Sequence, residues 1–136
     1  ERDDSSLLKK HLVTPTKKKL TPNQLSTGLF AWKVVKHTKS NAIVVAKNNK
    51  IISISGGQTS RVDATKIAFE KTKIPKGCVV ASDAFFPFKD SIEKMAQYKI
   101  AAIIQPGGSI RDREVVESCN KNKIAMAFTG FRVFKH

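Results

Sequence analysis

CVVASDAFFPFKDSIEKMAQYKIAAIIQPGGS, residues 78–109, is the stretch that decides the fold of this chain. Two short apolar runs, Cys78–Ala81 and Ile100–Ile104, lie on either side of a segment long enough for one helix. Runs that are apolar throughout are typical of parallel strands buried on both faces. Each run ends in a loop, Ser82–Asp90 or Gln105–Ser109. The stretch therefore predicts a strand–helix–strand unit with its loops at the carboxyl edge of a sheet.

Regular elements are also predicted on the N-terminal side of this unit. Thr21–Gln24 (TPNQ) has the composition of a capping box with proline at the first helical position, which predicts a helix of about fifteen residues. Ala42–Lys47 and Ile51–Ser55 are rich in β-branched residues and are separated by Asn48–Lys50. Because asparagine tolerates a positive φ, these two runs predict a β-hairpin.

Three further helices are predicted from capping residues. The first runs from Ser60 to about Lys73, with Val62, Ile67 and Phe69 facing the core. The second runs from Asp90 to Tyr98 and is capped by Asp90 with Glu93. The third is opened by Ser109 with Asp112. Ile124–Phe128 (IAMAF) predicts another buried strand, and Phe131–His136 a segment that closes the sheet. The alternation of strands and helices predicts an α/β layered domain.

Composition limits the possible classes of protein. With 136 residues and 40% hydrophobic content, the chain fits one globular domain. Cys78 and Cys119 lie in apolar runs and are interpreted as buried thiols. The chain has no CxxC motif and no metal-spaced histidines, which argues against a zinc hydrolase.

No apolar run approaches the length of a membrane span, so a soluble cytoplasmic protein with no membrane partner is expected. Residues 1–20 are interpreted as an extended arm or linker.

The strong positive charge suggests a polyanionic partner, but its distribution along the sequence does not. The formal net charge is +14. Residues 1–50 contain eleven Lys or Arg against three acidic residues, and residues 51–136 contain fourteen against eight. Because the excess is spread over the chain and is mostly lysine, it is interpreted as solvated surface, and nucleic acid is not the expected partner.

Several features point to an anionic, planar ligand. Gly56–Arg61 and Gln105–Ser109 are glycine loops that open helices, an arrangement that binds phosphate or carboxylate but is also common structural punctuation. Arg132, in an apolar tail, predicts either a ligand phosphate or a buried carboxylate as its partner. Asn41 presents its amide to a ligand or caps a turn. The phenylalanines of the Ser82–Asp90 loop cover a flat ligand or cap the hydrophobic core.

Five motifs at compatible spacing give the chain a resemblance to a known family. They are Lys36–Ile43 (KHTKSNAI), Gly57–Val62 (GQTSRV), Ser82–Asp90, Gln105–Asp112 and Phe128–His136. In this order they resemble the C-terminal portion of aminoimidazole-carboxamide ribonucleotide formyltransferases, which belong to the bifunctional purine biosynthesis proteins that also carry IMP cyclohydrolase. The resemblance covers residues 20–136.

The resemblance implies a three-layer α/β/α cytidine-deaminase-like subdomain without zinc, formed by residues 21–136. It also implies transfer of a formyl group from the cosubstrate 10-formyltetrahydrofolate to the 5-amino group of the ribonucleotide. By motif position, the nucleotide-binding residues would be Asn41, Arg61, Phe85 and Arg132. The folate-binding residues would be Val62, Asp90, Ser109 and Ile110. No metal ligand is implied.

The resemblance also implies that this chain carries only part of the transferase chemistry. The family's Lys-His pair lies in a preceding half that this chain lacks, as does the cyclohydrolase domain, so no catalytic residue is assigned here and the isolated chain is expected to be inactive. Lys36-His37 is interpreted as scaffold. Ser53 and Ser55 replace the family's usual glycines. A homodimer with composite sites is expected. The alternative is a basic, non-catalytic module that binds RNA through Lys9, Lys10, Lys17–Lys19 and Lys33, with the phenylalanine cluster stacking on bases, or a module that serves assembly.

Overall fold

Five strands form one mixed sheet in the order β2-β1-β3-β4-β5. The computed structural model describes residues 12–86 and 89–130, without the side chains of residues 61 and 62. The elements are α1 (Pro22–Lys36), β1 (Ile43–Lys47), β2 (Lys50–Ser55), α2 (Arg61–Glu70), β3 (Val79–Ser82), α3 (Lys89–Ala96), β4 (Ala102–Gln105), α4 (Asp112–Lys121) and β5 (Ala125–Phe128). Strands β3, β4 and β5 are parallel, whereas β1 is antiparallel to both β2 and β3.

The sheet is buried on both faces. On one face α1 contributes Trp32 and Val35, which pack on Val44 and Ile104. On the other face a larger cluster joins the strands to α2, α3 and α4. Neighbouring residues of β4 lie in opposite layers, since Ile103 belongs to the larger cluster and Ile104 to the α1 cluster. The predicted α/β fold with strands buried on both faces is therefore confirmed. No helix of the described part is long and apolar enough to cross a bilayer.

The N-terminal elements follow the sequence closely. The Thr21 hydroxyl accepts a hydrogen bond from the backbone N–H of Gln24 at 3.1 Å, and the Gln24 side chain accepts one from the backbone N–H of Thr21 at 3.0 Å. This reciprocal capping box opens α1, as predicted. The hairpin is confirmed as well, because Asn48 and Asn49 adopt φ values of 50° and 60° between β1 and β2.

The later helices begin or end at other residues than predicted. Helix α2 is capped by Ser60 but ends at Glu70, and Ile67 is 37% exposed because Ala64 and Ala68 occupy the inward positions with Phe69. Helix α3 begins at Lys89, which places Asp90 in its first turn, and ends at Ala96. Helix α4 begins at Asp112, so Ser109 lies in the preceding loop. The expected closing segment, residues 131–136, lies outside the described residues.

Residues 12–20 follow the free side of β5. Val13 forms an isolated antiparallel bridge with Phe128. The buried Thr16 hydroxyl accepts a hydrogen bond from the backbone N–H of Met126 at 2.9 Å. This part of the segment interpreted as an arm therefore covers the edge of the sheet, which reduces its exposure to pairing with another chain.

Both cysteines are free and buried. Burial raises the pKa of the Cys119 thiol from the ordinary value of 9.0 to about 12. Burial also raises the pKa of Cys78, although the nearby Lys47 ammonium opposes this shift. Because the thiolate is the reactive form, neither side chain is an activated nucleophile.

We expect neither cysteine to react with a thiol reagent at pH 8 in the folded protein, and both to react after unfolding in guanidinium chloride. In the folded protein the Cys119 thiol keeps a proton that the unfolded chain loses above pH 9. Its burial therefore makes the free energy of unfolding fall as the pH rises from about 9 toward 12. A Cys119→Ala variant should lack this part of the pH dependence. Fast labelling of either native thiol, located by mass spectrometry, would contradict the assignment.

Candidate binding site at the carboxyl edge of the sheet

Loops from all five strands meet at one edge of the sheet. Ile43, the first residue of β1, pairs with Ser82 at the end of β3 and with Ser55 at the end of β2. Gln105 and Phe128 end β4 and β5 side by side. The loops that follow these residues, together with the residues that precede β1, form the carboxyl edge. In open α/β sheets this is the edge where ligands bind.

The segment before β1 is held against the loop after β2. The backbone N–H of Asn41 and its side-chain Nδ2 both donate to the carbonyl oxygen of Gln58, at 3.2 and 3.0 Å. The N–H of Gly57 donates to the carbonyl oxygen of Lys39 at 2.6 Å. The Asn41 amide nitrogen thus positions the glycine loop that leads into α2. This role corresponds to the structural alternative considered for Asn41, and it fixes the start of the helix that carries Arg61.

A buried carboxylate extends the sheet beyond β3. Asp83 is 1% exposed, and its Oδ1 accepts a hydrogen bond from the backbone N–H of Ala42 at 3.2 Å. Its own N–H donates to the carbonyl oxygen of Ala42 at 3.4 Å. Asp83 is not among the site residues predicted from the sequence. Its position directly after a buried strand was the available signal.

Gln105 links three strands at the edge. Its side chain is completely buried; Oε1 accepts a hydrogen bond from the N–H of Phe86 at 2.9 Å, and Nε2 donates to the sulfur of Met126 at 3.2 Å. Its carbonyl oxygen accepts from the N–H of Thr129 at 2.9 Å. Sequence reasoning did not select Gln105, although a single polar residue at the end of an apolar run is a recognisable signal. It holds the aromatic loop in place.

The aromatic loop divides into two parts. Phe86 is completely buried in the cluster beneath α2, α3 and α4, so it caps the core. Phe85 is half-buried at the edge. Phe88 lies outside the described residues. The core-capping interpretation therefore holds for Phe86, whereas the ligand interpretation of Phe85 stays a prediction.

Helices α2, α3 and α4 all begin at the carboxyl edge, because each follows a strand that ends there. Each carries an aspartate in its first turn, namely Asp63, Asp90 and Asp112. The Asp112 carboxylate accepts hydrogen bonds from the N–H groups of Gly108 and Ser109, at 2.8 and 3.2 Å, and shapes that loop. Three helix N-termini with their partial positive charge therefore meet at the edge.

The predicted site residues that the structure describes have different environments. Asn41, Phe85 and Ser109 are half-buried, Asp90 is exposed, and the Ile110 side chain is 99% exposed. Arg61 and Val62 open α2 at the same edge. Arg132 lies outside the described residues. A cleft of about 210 Å³ between α2 and α3 adjoins this edge; its lining is Thr65, Lys66, Asp90, Ser91 and Lys94.

Two serines of β2, which were expected to replace glycines of the family, are buried on the face of the sheet that packs against α2. Ser53 and Ser55 are both buried on the same face of β2. The Ser53 hydroxyl donates to the carbonyl oxygen of Ala68 at 2.6 Å. The Ser53 side chain therefore contacts α2 and not the edge loops, and Ser55 is buried at the end of β2. Among the described residues, no group of His, Cys, Asp and Glu side chains is arranged to bind a metal ion.

A layered α/β domain with a polar site along the carboxyl edge defines the general class of this protein, and sequence comparison defines its family. The profile of the AICARFT/IMPCHase bienzyme family matches residues 1–71, and the chain belongs to this family. It is 54% identical to the bifunctional purine biosynthesis protein PurH of Aquifex aeolicus, over 99% of this chain and 28% of the relative. It is 57% identical to PurH of Acetivibrio thermocellus, over 92% of this chain and 24% of that relative. The chain therefore spans about a quarter of the length of these curated relatives.

Proposed function

We propose that this chain is the C-terminal part of a phosphoribosylaminoimidazolecarboxamide formyltransferase that acts in purine biosynthesis. The observation that carries the proposal is its membership in the bienzyme family, combined with a polar carboxyl edge. Residues 21–136 would form a cytidine-deaminase-like α/β/α subdomain without zinc. A preceding half of the transferase and a cyclohydrolase domain would complete the enzyme, which we place in the cytoplasm.

The reaction transfers a formyl group from 10-formyltetrahydrofolate to the 5-amino group of the ribonucleotide. That amine is conjugated to a ring bearing a carboxamide and is a poor nucleophile. The enzyme must therefore orient it against the formyl carbon, remove its proton, stabilise the tetrahedral oxyanion and allow N10 of the folate to leave with a proton. In this proposal the present chain supplies orientation, and the groups that move protons belong to the preceding half.

The nucleotide would bind through Asn41, Arg61, Phe85 and Arg132. Arginine suits a phosphate because its guanidinium presents paired donors and keeps its charge. The position of Arg61 at the N-terminus of α2 supports an anionic ligand there, since the helix dipole adds to the charge. The half-buried Phe85 ring offers a flat apolar surface for the base.

The folate would bind through Val62, Asp90, Ser109 and Ile110. The exposed Asp90 carboxylate, beside the cleft between α2 and α3, can accept hydrogen bonds from the N–H groups of a pterin. The fully exposed Ile110 side chain supports a site that is completed by another surface, because a large apolar group gains by being covered. We propose that a homodimer with composite sites provides that surface.

The proposal is tested by replacing the matching stretch of the Aquifex aeolicus relative with this chain and measuring formyl transfer. We expect the chimera to be active and the isolated 136-residue chain to turn nothing over. In the chimera, Asp90→Asn should raise the KM for the folate about tenfold or more, since a charge-assisted hydrogen bond is lost, and should leave the KM for the nucleotide unchanged.

Lys76→Gln, on the opposite edge of the sheet, is the matched control and should leave both KM values unchanged. A folded chimera that transfers no formyl group, although the unaltered relative does, would contradict the proposed function. A robust rate from the isolated chain would contradict the assignment of the catalytic groups to the missing half.

A further inference from the structure

The edge of the sheet opposite the proposed ligand site carries a row of lysines. In strand order from β2 to β5 the row consists of Lys50, Lys47, Lys76, Lys99 and Lys123, which lie at the hairpin or two to three residues before a strand. All except the half-buried Lys47 are exposed. Neighbouring strands are about 4.8 Å apart, so the row is roughly 19 Å long. These lysines are up to 76 positions apart in the sequence, between residues 47 and 123, and only the fold aligns them.

Backbone contacts fix the order of this lysine row. Lys47 pairs with Lys50 across the hairpin, and its Nζ donates to the carbonyl oxygen of Lys76 at 2.6 Å. The N–H of Gly77, next to Lys76, donates to the carbonyl oxygen of Lys99 at 2.9 Å. Lys99 lies three residues before β4 and Lys123 two residues before β5, and both have a positive φ, of 58° and 57°. Adjacent lysines in the row are therefore held on adjacent strands.

Negative charge is nearly absent from this edge. Among the described residues, its connecting segments 48–49, 71–78, 97–101 and 122–124 contain no aspartate or glutamate, and Glu70 at the end of α2 is the nearest acid in the sequence. The aspartates of the first helical turns lie at the other edge. Helix dipoles favour lysine after α3 and α4, but they do not account for Lys50 at the hairpin. The charges of the row add to one local positive field.

The composition of the row favours one kind of partner. Lysine is depleted in protein–protein interfaces, whereas a lysine ammonium binds phosphate as a point charge. The row contains no arginine, the side chain that most often reads a base edge through paired hydrogen bonds. A line of point charges without base-reading groups suits a linear polyanion whose charge, and not its sequence, is recognised.

We propose that the lysine row binds the sugar–phosphate backbone of a single-stranded nucleic acid without sequence preference. The surface lies on the opposite edge from the proposed nucleotide and folate site, so the two proposals stand independently. It also differs from the RNA-binding alternative derived from sequence, which relied on the N-terminal lysines and on stacking by the phenylalanines. Binding here is electrostatic and releases counterions from the strand.

The test is fluorescence anisotropy of a labelled 20-nucleotide oligouridylate titrated with the 136-residue chain between 50 and 300 mM salt. The row variant replaces Lys50, Lys76, Lys99 and Lys123 with glutamine, and the matched control makes the same change at Lys33, Lys39, Lys66 and Lys94. Both variants lose four positive charges, so they are matched in net charge; Lys33 is half-buried, and the other mutated lysines are exposed. We expect the row variant to bind at least about tenfold more weakly at 50 mM salt. The slope of log K against log salt should become shallower by about 3.

The control should lose less than about threefold, and a mixed-sequence oligonucleotide should bind like oligouridylate. Circular dichroism and thermal unfolding establish that both variants are folded, which is expected because the mutated side chains of the row are exposed. Equal losses in the two variants would overturn the proposal in favour of diffuse attraction by the whole charge of the chain. Binding that shows no salt dependence, or affinity for anionic phospholipid vesicles without affinity for the oligonucleotide, would overturn it as well.

Discussion

Replacing Phe86 with alanine is expected to lower the free energy of unfolding by about 3–5 kcal/mol. The Phe86 side chain is completely buried and belongs to the cluster that joins the sheet to α2, α3 and α4. Truncation removes its apolar surface from the core and leaves a cavity, and both effects destabilise the folded state. The backbone hydrogen bond from Phe86 to Gln105 does not depend on the ring and should persist. Urea unfolding followed by circular dichroism measures the shift in midpoint at a constant m-value.

Phe85→Ala is the matched control, because it removes the same ring from the adjacent residue. Phe85 is only half-buried, so we expect its truncation to cost less than about 1.5 kcal/mol. In the chimeric transferase the order should reverse: Phe85→Ala should weaken nucleotide binding in a variant that remains folded. Equal destabilisation by the two substitutions would contradict the division of the aromatic loop into a core ring and a site ring.

The aromatic loop illustrates a limit of sequence reasoning. Phe85 and Phe86 are adjacent residues of the same type, so no local pattern in the sequence distinguishes the ring that enters the core from the one that stays at the edge. The position of Phe86 depends on tertiary contacts such as the hydrogen bond from its N–H to the Gln105 side chain. This bond joins residues 19 positions apart. Such a contact has no signature in the local sequence.

Local chemistry predicted the elements that depend on local contacts. The capping box of Thr21 and Gln24 and the two asparagines of the hairpin act within three or four residues, and the structure confirms both. The predicted cap of α4, Ser109, lies two residues before the observed cap, Arg111, because only half of the capping box forms. The Asp112 carboxylate accepts a hydrogen bond from the N–H of Ser109, but the Ser109 hydroxyl accepts from the N–H of Arg111. Several side-chain arrangements can accept hydrogen bonds from the backbone N–H groups that have no partner in the first turn of a helix. The sequence alone does not show which arrangement forms.

The two edges of the sheet also differ in how much of their structure local sequence could predict. Glycine loops and helix starts predicted that a site lies at the carboxyl edge, but the buried side chains of Asp83 and Gln105 that shape it went unselected. At the other edge, lysines that are scattered in sequence become neighbours through the parallel order of β3, β4 and β5. The sequence shows which residue types are present, whereas the strand order and register determine which of them become neighbours on adjacent strands.

Gly107→Ala is expected to destabilise the protein by about 2–4 kcal/mol and to shift the loop that carries Ser109 and Ile110. Gly107 has a φ of +76°, which any residue with a Cβ adopts at a cost. An added Cβ would also lie 2.9 Å from Cγ of the Phe128 ring. Ring and loop cannot both keep their positions at that distance, so overpacking adds to the backbone strain. Chemical denaturation measures the total loss.

A Phe128→Ala background separates the two contributions to this loss. Alanine removes Cγ and the rest of the ring that the new Cβ would meet, but it leaves the positive φ of Gly107 unchanged. If the ring contact matters, Gly107→Ala should cost at least about 1 kcal/mol less in the Phe128→Ala protein than in the native sequence, a non-additivity expected of residues in contact. Additive losses would mean that backbone strain alone accounts for the stability cost of Gly107→Ala. In that case the Phe128 side chain, at the end of β5, would have no part in fixing the loop proposed to bind folate.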